Sequence, residues 1–105
     1  MNRQNEITYL RSNLHEKYVV KAFLFGSFVI EKETPNDCDI FIVTCLTPSN
    51  NDWRIFINEI EVLKNNFFEI FKLPLNATIN ILDEFAEYSA FKERVFKKPT
   101  IDIIR

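Results

Sequence analysis

Glycine is the residue that this sequence most clearly lacks, with one among 105 residues, where ordinary usage of about 7% would give about seven. Glycine reaches positive φ angles without steric cost, so the position of the single glycine, Gly26, is informative. Histidine and cysteine are also scarce. With one His and two Cys, the chain has no zinc-ligand constellation, and a Ser-His-Asp site could use only His15.

The two cysteines, Cys38 and Cys45, fall within one predicted strand. Side chains seven positions apart on a strand point to opposite faces, so these two are not expected to form a disulfide. Reduced thiols are typical of a cytoplasmic protein, and we expect that location.

Excess charge and long apolar runs are missing as well. The net charge of −2 gives no electrostatic basis for tight binding to bulk nucleic acid. The longest apolar runs, such as Ala22–Phe25 and Ile40–Val43, are too short to cross a membrane, and the N-terminus lacks the pattern of a secretory signal. What is present is 47% apolar residues with eleven Phe, enough for one folded domain over residues 1–105.

Hydrophobic periodicity and turn residues predict an alternation of helices and strands. The order predicts a small α/β (α+β) fold, a mixed sheet with helices packed on one face. The predicted elements are a helix within Asn2–Tyr18, a strand Val19–Phe25, a short helical turn within Phe28–Glu33, a strand Cys38–Cys45, a capping box Ser49–Asp52, a helix Trp53–Phe71, a strand Asn76–Leu82, a helix from Asp83 to about Arg94 and a strand Thr100–Ile104.

A short motif connects the first two strands. Gly26-Ser27 follows the first strand, and Asp37-Cys38-Asp39 opens the second. A glycine at a strand end lets backbone approach a ligand that a Cβ would obstruct, and Ser27 offers a hydroxyl and an N–H to a phosphate. Asp37 and Asp39 share one strand face, about 7 Å apart along the backbone, where their oxygens can hold one or two hard divalent cations.

This combination resembles the polymerase-beta-type nucleotidyltransferase superfamily, and its smallest, antitoxin-like members in particular. The matching residues are Phe23-Leu24-Phe25-Gly26-Ser27, a gap of nine, and Asp37-Cys38-Asp39-Ile40. The resemblance implies that Gly26 and Ser27 contact nucleotide phosphates. It also implies that Asp37 and Asp39 are catalytic and bind Mg²⁺ in a two-metal arrangement, with ATP or another nucleoside triphosphate as substrate.

The resemblance further implies transfer of a nucleoside monophosphate, AMP from ATP, to a hydroxyl on a partner protein. Small members of the family often act beside a HEPN-type ribonuclease toxin in bacterial toxin–antitoxin or phage-defence pairs, so a partner of that kind is expected. Two alternatives stay open. One is a nucleotidyltransferase-like module that binds a nucleotide or a partner without turnover, and the other is a toxin that nucleotidylates tRNA.

Two departures from the family pattern bear on activity. Family enzymes usually carry a third carboxylate on the next strand, whereas the strand Asn76–Leu82 has no Asp or Glu. If its apolar residues face the helices, Asn76 and Asn80 face the site and are the candidates for the third position. The Arg- and Gly-bearing stretch that often follows Gly-Ser is also missing, which leaves Lys32 as the cation nearest the phosphates.

Simpler interpretations exist for several of these residues. Asp37 could cap a turn after Pro35, although its coupling to Gly-Ser favours the functional interpretation. Val62 and Phe68 fall outside the main apolar stripe of the long helix and could form a docking surface.

Overall fold

The computed structural model describes residues 4–14, 17–29, 36–82 and 100–104, apart from the side chain of Ser27. The predicted helix from Asp83, together with His15 and Lys32, lies outside this part of the chain. The described elements confirm a small mixed α+β fold. They are α1 (Gln4–Asn13), β1 (Val19–Phe25), a 3₁₀ turn (Gly26–Phe28), β2 (Cys38–Thr44), α2 (Trp53–Phe71), β3 (Leu75–Ile81) and β4 (Ile101–Ile104).

The four strands form one sheet in the order β3-β2-β1-β4. Strand β1 runs antiparallel to both β2 and β4, whereas β2 and β3 are parallel. Parallel neighbours need a crossover connection, and α2 supplies it between β2 and β3. The register places Phe25 opposite Asp39 on one side and Asn76 opposite Asp39 on the other.

Both described helices pack against one face of the sheet, as predicted. On β2 the side chains of Cys38, Ile40 and Ile42 point to this face and are fully buried. The apolar stripe of α1 and the three-and-four spacing of α2 contribute the opposing layer. The helix residues in this core are Ile7, Leu10, Leu14, Phe56, Ile60, Leu63 and Phe67.

The opposite face of the sheet carries a second apolar cluster and the polar candidate residues. Phe23 and Phe41 are fully buried with their rings stacked at 5.2 Å between centroids, and Val43 completes the cluster. Strand residues alternate between faces, so Asp39 lies on this face, one step along β2 from the Phe41 side chain. The sheet thus separates a helix-covered core from the face that carries the candidate site.

The start of α2 differs from the predicted capping box. Asp52 holds the N-cap position but makes no side-chain capping bond. The Ser49 hydroxyl lies 3.0 Å from Thr47 Oγ1, and the Asn50 side chain instead accepts a hydrogen bond from the Asp52 N–H at 2.9 Å. The capping-box prediction was wrong because Ser49 and Asn50 form their hydrogen bonds within the turn before the helix begins, while the Asp52 carboxylate accepts a hydrogen bond from the Tyr18 hydroxyl at 3.5 Å.

Helix α2 ends with a lysine at a position where helices usually have glycine. Lys72 follows the helix with φ of 55°, in the left-handed conformation that glycine usually adopts at this position. Its N–H donates to the Phe68 carbonyl at 2.8 Å, and Pro74 prevents continuation. None of the described helices is long and apolar enough to cross a membrane.

Candidate cation and nucleotide site

The candidate site lies at one end of the sheet, on the face away from α1 and α2. Asp39 belongs to β2, and Asp37 lies one residue before that strand. Because the two positions differ by two, both carboxylates lie on the same face, while Cys38 between them is buried in the core. This arrangement of the three residues agrees with the prediction made from the Asp-Cys-Asp spacing.

Asn76 of β3 joins the two carboxylates. Its side-chain Nδ2 donates a hydrogen bond to Asp37 Oδ2 at 2.6 Å and a weaker one to Asp39 Oδ1 at 3.4 Å. Of the two asparagines predicted for the third position, Asn76 is therefore the one in contact with both acids. Asn80 pairs with Val43, four residues further along the strand, about 13 Å away at the usual rise of a strand.

Gly26 lies directly against the Asp39 carboxylate. A Cβ built on Gly26 would be 2.7 Å from Asp39 Oδ2, closer than real Cβ atoms approach another atom. Its φ of 80° is the second requirement for glycine, because L side chains rarely adopt that backbone conformation. The only glycine of the chain is thus favoured by its backbone angle, and a Cβ at this position would displace the Asp39 carboxylate.

The turn after β1 is shorter than a helix. Gly26–Phe28 forms a single 3₁₀ turn, closed by the Val29 N–H donating to the Gly26 carbonyl at 3.0 Å. Three residues do not build the dipole of a longer helix, so any anion here would meet individual N–H groups. The Ser27 side chain lies outside the described atoms, and its predicted phosphate contact stays a prediction.

The charges at the site are only partly compensated. Partial burial raises the pKa of the Asp39 carboxyl above its usual range, and the neighbouring Asp37 charge raises it further. The hydrogen bond from Asn76 acts in the opposite direction and lowers that pKa. The net upward shift means that the negative charge on Asp39 lacks a full counter-charge within the described structure.

The donor set suits a hard divalent cation. Asp37 and Asp39 provide carboxylate oxygens, and rotation of the Asn76 amide by 180° about its last bond would present Oδ1 in place of Nδ2. Mg²⁺ is bound in proteins by one or two carboxylates, with water or phosphate oxygens completing its shell. No cluster of three or more His, Cys, Asp or Glu side chains occurs among the described residues, and the Asn76 amide is the side chain that contacts both carboxylates.

The sequence indicated Asn76 only as a possible oxygen ligand. The amide nitrogen that bridges the two carboxylates is a feature that the strand pattern alone did not predict. The signal for Asn76 in the sequence was the alternation of its strand, which places it on the polar face. In comparisons with known proteins, no protein-family model matches the chain, and no curated protein sequence matches it.

Proposed function

We propose that this protein is a Mg²⁺-dependent nucleotidyltransferase that transfers AMP from ATP to a hydroxyl group on a partner protein. The observation that carries the proposal is the meeting of Asp37 and Asp39 beside Gly26. The bare Cα of this glycine lies against the Asp39 carboxylate. The absence of a Cβ at Gly26 leaves the space that the Asp39 carboxylate occupies, and two adjacent carboxylates can hold a cation that also binds phosphate oxygens.

The roles of the individual residues follow from their chemistry. Asp37 and Asp39 would hold one or two Mg²⁺ ions, and Gly26 and Ser27 would accommodate the nucleotide phosphates. Bound Mg²⁺ would supply neutralisation of the charge that develops on the phosphate oxygens. A bound cation would also offset the repulsion between the Asp37 and Asp39 carboxylates, which share one neutral donor, Asn76.

The reaction itself is a balanced substitution at the α-phosphorus of ATP. The acceptor hydroxyl oxygen forms a bond to the α-phosphorus. The bond between this phosphorus and the oxygen that bridges the α- and β-phosphates breaks, and pyrophosphate leaves. The hydroxyl proton passes to solvent, because the amide of Asn76 has no useful basicity. The contribution of this chain is then to hold and orient the triphosphate rather than to remove a proton.

A second candidate function is a nucleotide-binding module without turnover. It is favoured by one observation, the presence of Asn76 where the family resemblance leads us to expect a third carboxylate. Such a protein would retain the cation and phosphate contacts and lack the charge and base that accelerate transfer. The proposed location is cytoplasmic in either case, supported by Cys38 and Cys45, which are not joined to each other by a disulfide.

The proposed acceptor is a protein, with a HEPN-type toxin or another defence component as the expected partner. A tRNA acceptor is less favoured, because the chain carries a net charge of −2 and tRNA binding depends on basic surfaces. The nucleotide itself would be the small-molecule partner.

One experiment separates these functions. The protein is incubated with Mg²⁺, the product of the neighbouring gene and ATP labelled at either the α- or the γ-phosphate. Asp37→Ala/Asp39→Ala is the test variant, and Asp102→Ala on β4 is the matched control. Transfer of the α-label alone, lost in the double variant and kept in the control, supports the enzyme. Metal-dependent ATP binding without transfer supports the module, and absence of both contradicts the two proposals.

A further inference from the structure

A groove lies between α1 and α2, on the side of the sheet opposite Asp37 and Asp39. It has a volume of about 410 Å³ and is lined mainly by apolar surface and side-chain amides. Tyr9 comes from α1, whereas Ile55, Glu59, Val62 and Asn66 come from α2. This volume is within the range of concave binding sites on proteins.

Helix α2 carries a second, short apolar stripe along this groove, formed by Ile55 and Val62. These two residues are 50% and 56% exposed and line the groove, and their spacing of seven places them on one side of the helix. The core stripe of Phe56, Ile60, Leu63 and Phe67 lies on a different side. Single exposed apolar residues are ordinary, but an aligned set beside a groove is typical of surfaces that accept a helix.

The sequence predicts that Val62 and Phe68 form one docking surface, but the two residues lie on different sides of α2. Six positions on an α-helix correspond to about 240° of rotation, so Phe68, although 47% exposed, lies on another flank. Val62 instead groups with Ile55, seven residues before it.

The negative charge of Glu59 in the groove requires a positively charged side chain on whatever binds there. Glu59 lies between Ile55 and Val62 in the helix, and among the described lining residues no Lys, Arg or His accompanies it. A helix laid over this stripe would remove water from the Glu59 carboxylate, and a desolvated carboxylate without a partner is costly. The occupant must therefore place a cation opposite Glu59.

A second copy of this chain does not meet that requirement. Antiparallel pairing of Ile55 with the Val62 of a symmetry mate would put the two-fold axis between Asn58 and Glu59. The two Glu59 carboxylates would then lie next to each other at the centre of the contact, with no cation from the described part of either groove. A partner of different sequence avoids this repulsion.

We propose that the groove between α1 and α2 binds an amphipathic helix of a partner protein. That helix has apolar residues seven positions apart, which contact Ile55 and Val62, and a Lys or Arg between them, which pairs with Glu59. The proposal is independent of the nucleotidyltransferase function, because the groove and the Asp37–Asp39 pair lie on opposite faces of the sheet. Both surfaces can therefore be occupied at once.

Two synthetic peptides test the proposal with the intact protein. Each is an alanine-based helix of about 18 residues, long enough to be helical in water, with leucines seven positions apart. One peptide has Lys midway between the leucines and the other has Glu. Binding is measured by fluorescence anisotropy to the wild-type protein, to Glu59→Lys, and to the control Glu61→Lys, which changes an exposed charge on another flank of α2.

The wild-type protein is expected to bind the Lys peptide at least tenfold more tightly than the Glu peptide. Glu59→Lys should reverse this preference, and Glu61→Lys should retain it. The proposal is overturned if neither peptide binds, if the preference ignores residue 59, or if Glu61→Lys reverses it equally. It is also overturned if sedimentation reveals a wild-type dimer that Val62→Glu dissociates, because a second copy would then occupy the groove.

Discussion

Replacing Asp39 with Asn is expected to stabilise the protein in the absence of divalent cations. Asp39 shares Asn76 with Asp37, so two negative charges lie close together with one neutral donor between them. Asn at position 39 is nearly isosteric, can still accept the Asn76 hydrogen bond and fits equally well against Gly26. The substitution therefore removes repulsion and leaves the packing unchanged.

The magnitude follows from the distances around the Asn76 amide. Its Nδ2 lies 2.6 Å from Asp37 Oδ2 and 3.4 Å from Asp39 Oδ1, which puts these oxygens no more than about 6 Å apart. Two unit charges about 6 Å apart repel by about 0.7 kcal/mol in water and about 3 kcal/mol at an effective dielectric constant of 20. Because Asp39 is only partly buried, solvent screening favours the lower part of this range, about 1 kcal/mol.

Thermal unfolding in EDTA measures the effect. A gain of about 1 kcal/mol raises the Tm of a domain of this size by about 4–8 °C, and Asp102→Asn is the control that removes a carboxylate with no acid partner in the described structure. Added Mg²⁺ should stabilise the wild type, by about 1.4 kcal/mol at ten times its Kd, and should act little on Asp39→Asn. A fall in Tm for Asp39→Asn, or an equal rise in the control, would refute the reasoning.

The Asp39 carboxyl also determines how the stability of the protein changes with pH. Its pKa in the folded protein is raised, so the folded state holds this proton more tightly than the unfolded chain does. The stabilisation is fully present below the usual Asp pKa and is lost as pH rises through the folded value. The Tm advantage of Asp39→Asn should therefore be largest at neutral pH, shrink as pH falls through the raised pKa of the folded Asp39, and be gone below the usual Asp pKa of about 4.

Three further substitutions test neighbouring features of the structure. Gly26→Ala is expected to lower the free energy of unfolding in denaturant by about 1–2 kcal/mol, because of the positive φ at this position. It should also abolish Mg²⁺ binding by displacing the Asp39 carboxylate. Retained Mg²⁺ binding would contradict the close contact between Gly26 and Asp39. Asn76→Asp should lower the Tm in EDTA yet tighten Mg²⁺ binding in calorimetry at least tenfold, since it adds a third charge to the site; unchanged affinity would place residue 76 outside the cation shell. Lys72→Gly should raise the unfolding free energy by about 0.5–1 kcal/mol by relieving the left-handed backbone after α2, and a loss of stability would show that the lysine stem packs usefully there.

Much of the fold could be predicted because its elements depend on local patterns. The apolar run of β1 ends at Gly26, and the periodicity of α2 ends before Pro74, so the bounds Val19–Phe25 and Trp53–Phe71 are those of the structure. Turn geometry was harder to predict. The polar residues before α2 have several possible partners, and the choice among them depends on the three-dimensional path of the turn rather than on composition.

Part of the candidate site could also be predicted from local sequence, and part of it could not. The spacing of Asp37 and Asp39 predicted that they share a face, since alternation is a property of any strand. The contact with Asn76 depends on which strand pairs with β2 and in what register. A long crossover such as α2 leaves that register undetermined from local sequence. The contact between Gly26 and Asp39 depends likewise on the antiparallel register of β1, which places Phe25 opposite Asp39.

The register that assembles the site is itself fixed by the core on the other face. Ala77 and Ile79 of β3 pack against the helix-covered core, and their neighbours in sequence necessarily face the opposite way. A shift of one residue in the register between β3 and β2 would bury Asn76 and turn Leu75 or Ala77 toward Asp39. The hydrogen bond at the site would then be replaced by an exposed apolar contact, and the Asn76 amide would lie unsatisfied in the core. The free energy that opposes this slip comes from burial of apolar side chains far from the carboxylates. Substitutions at Asn76 can therefore change the chemistry of the site without altering the pairing that positions it.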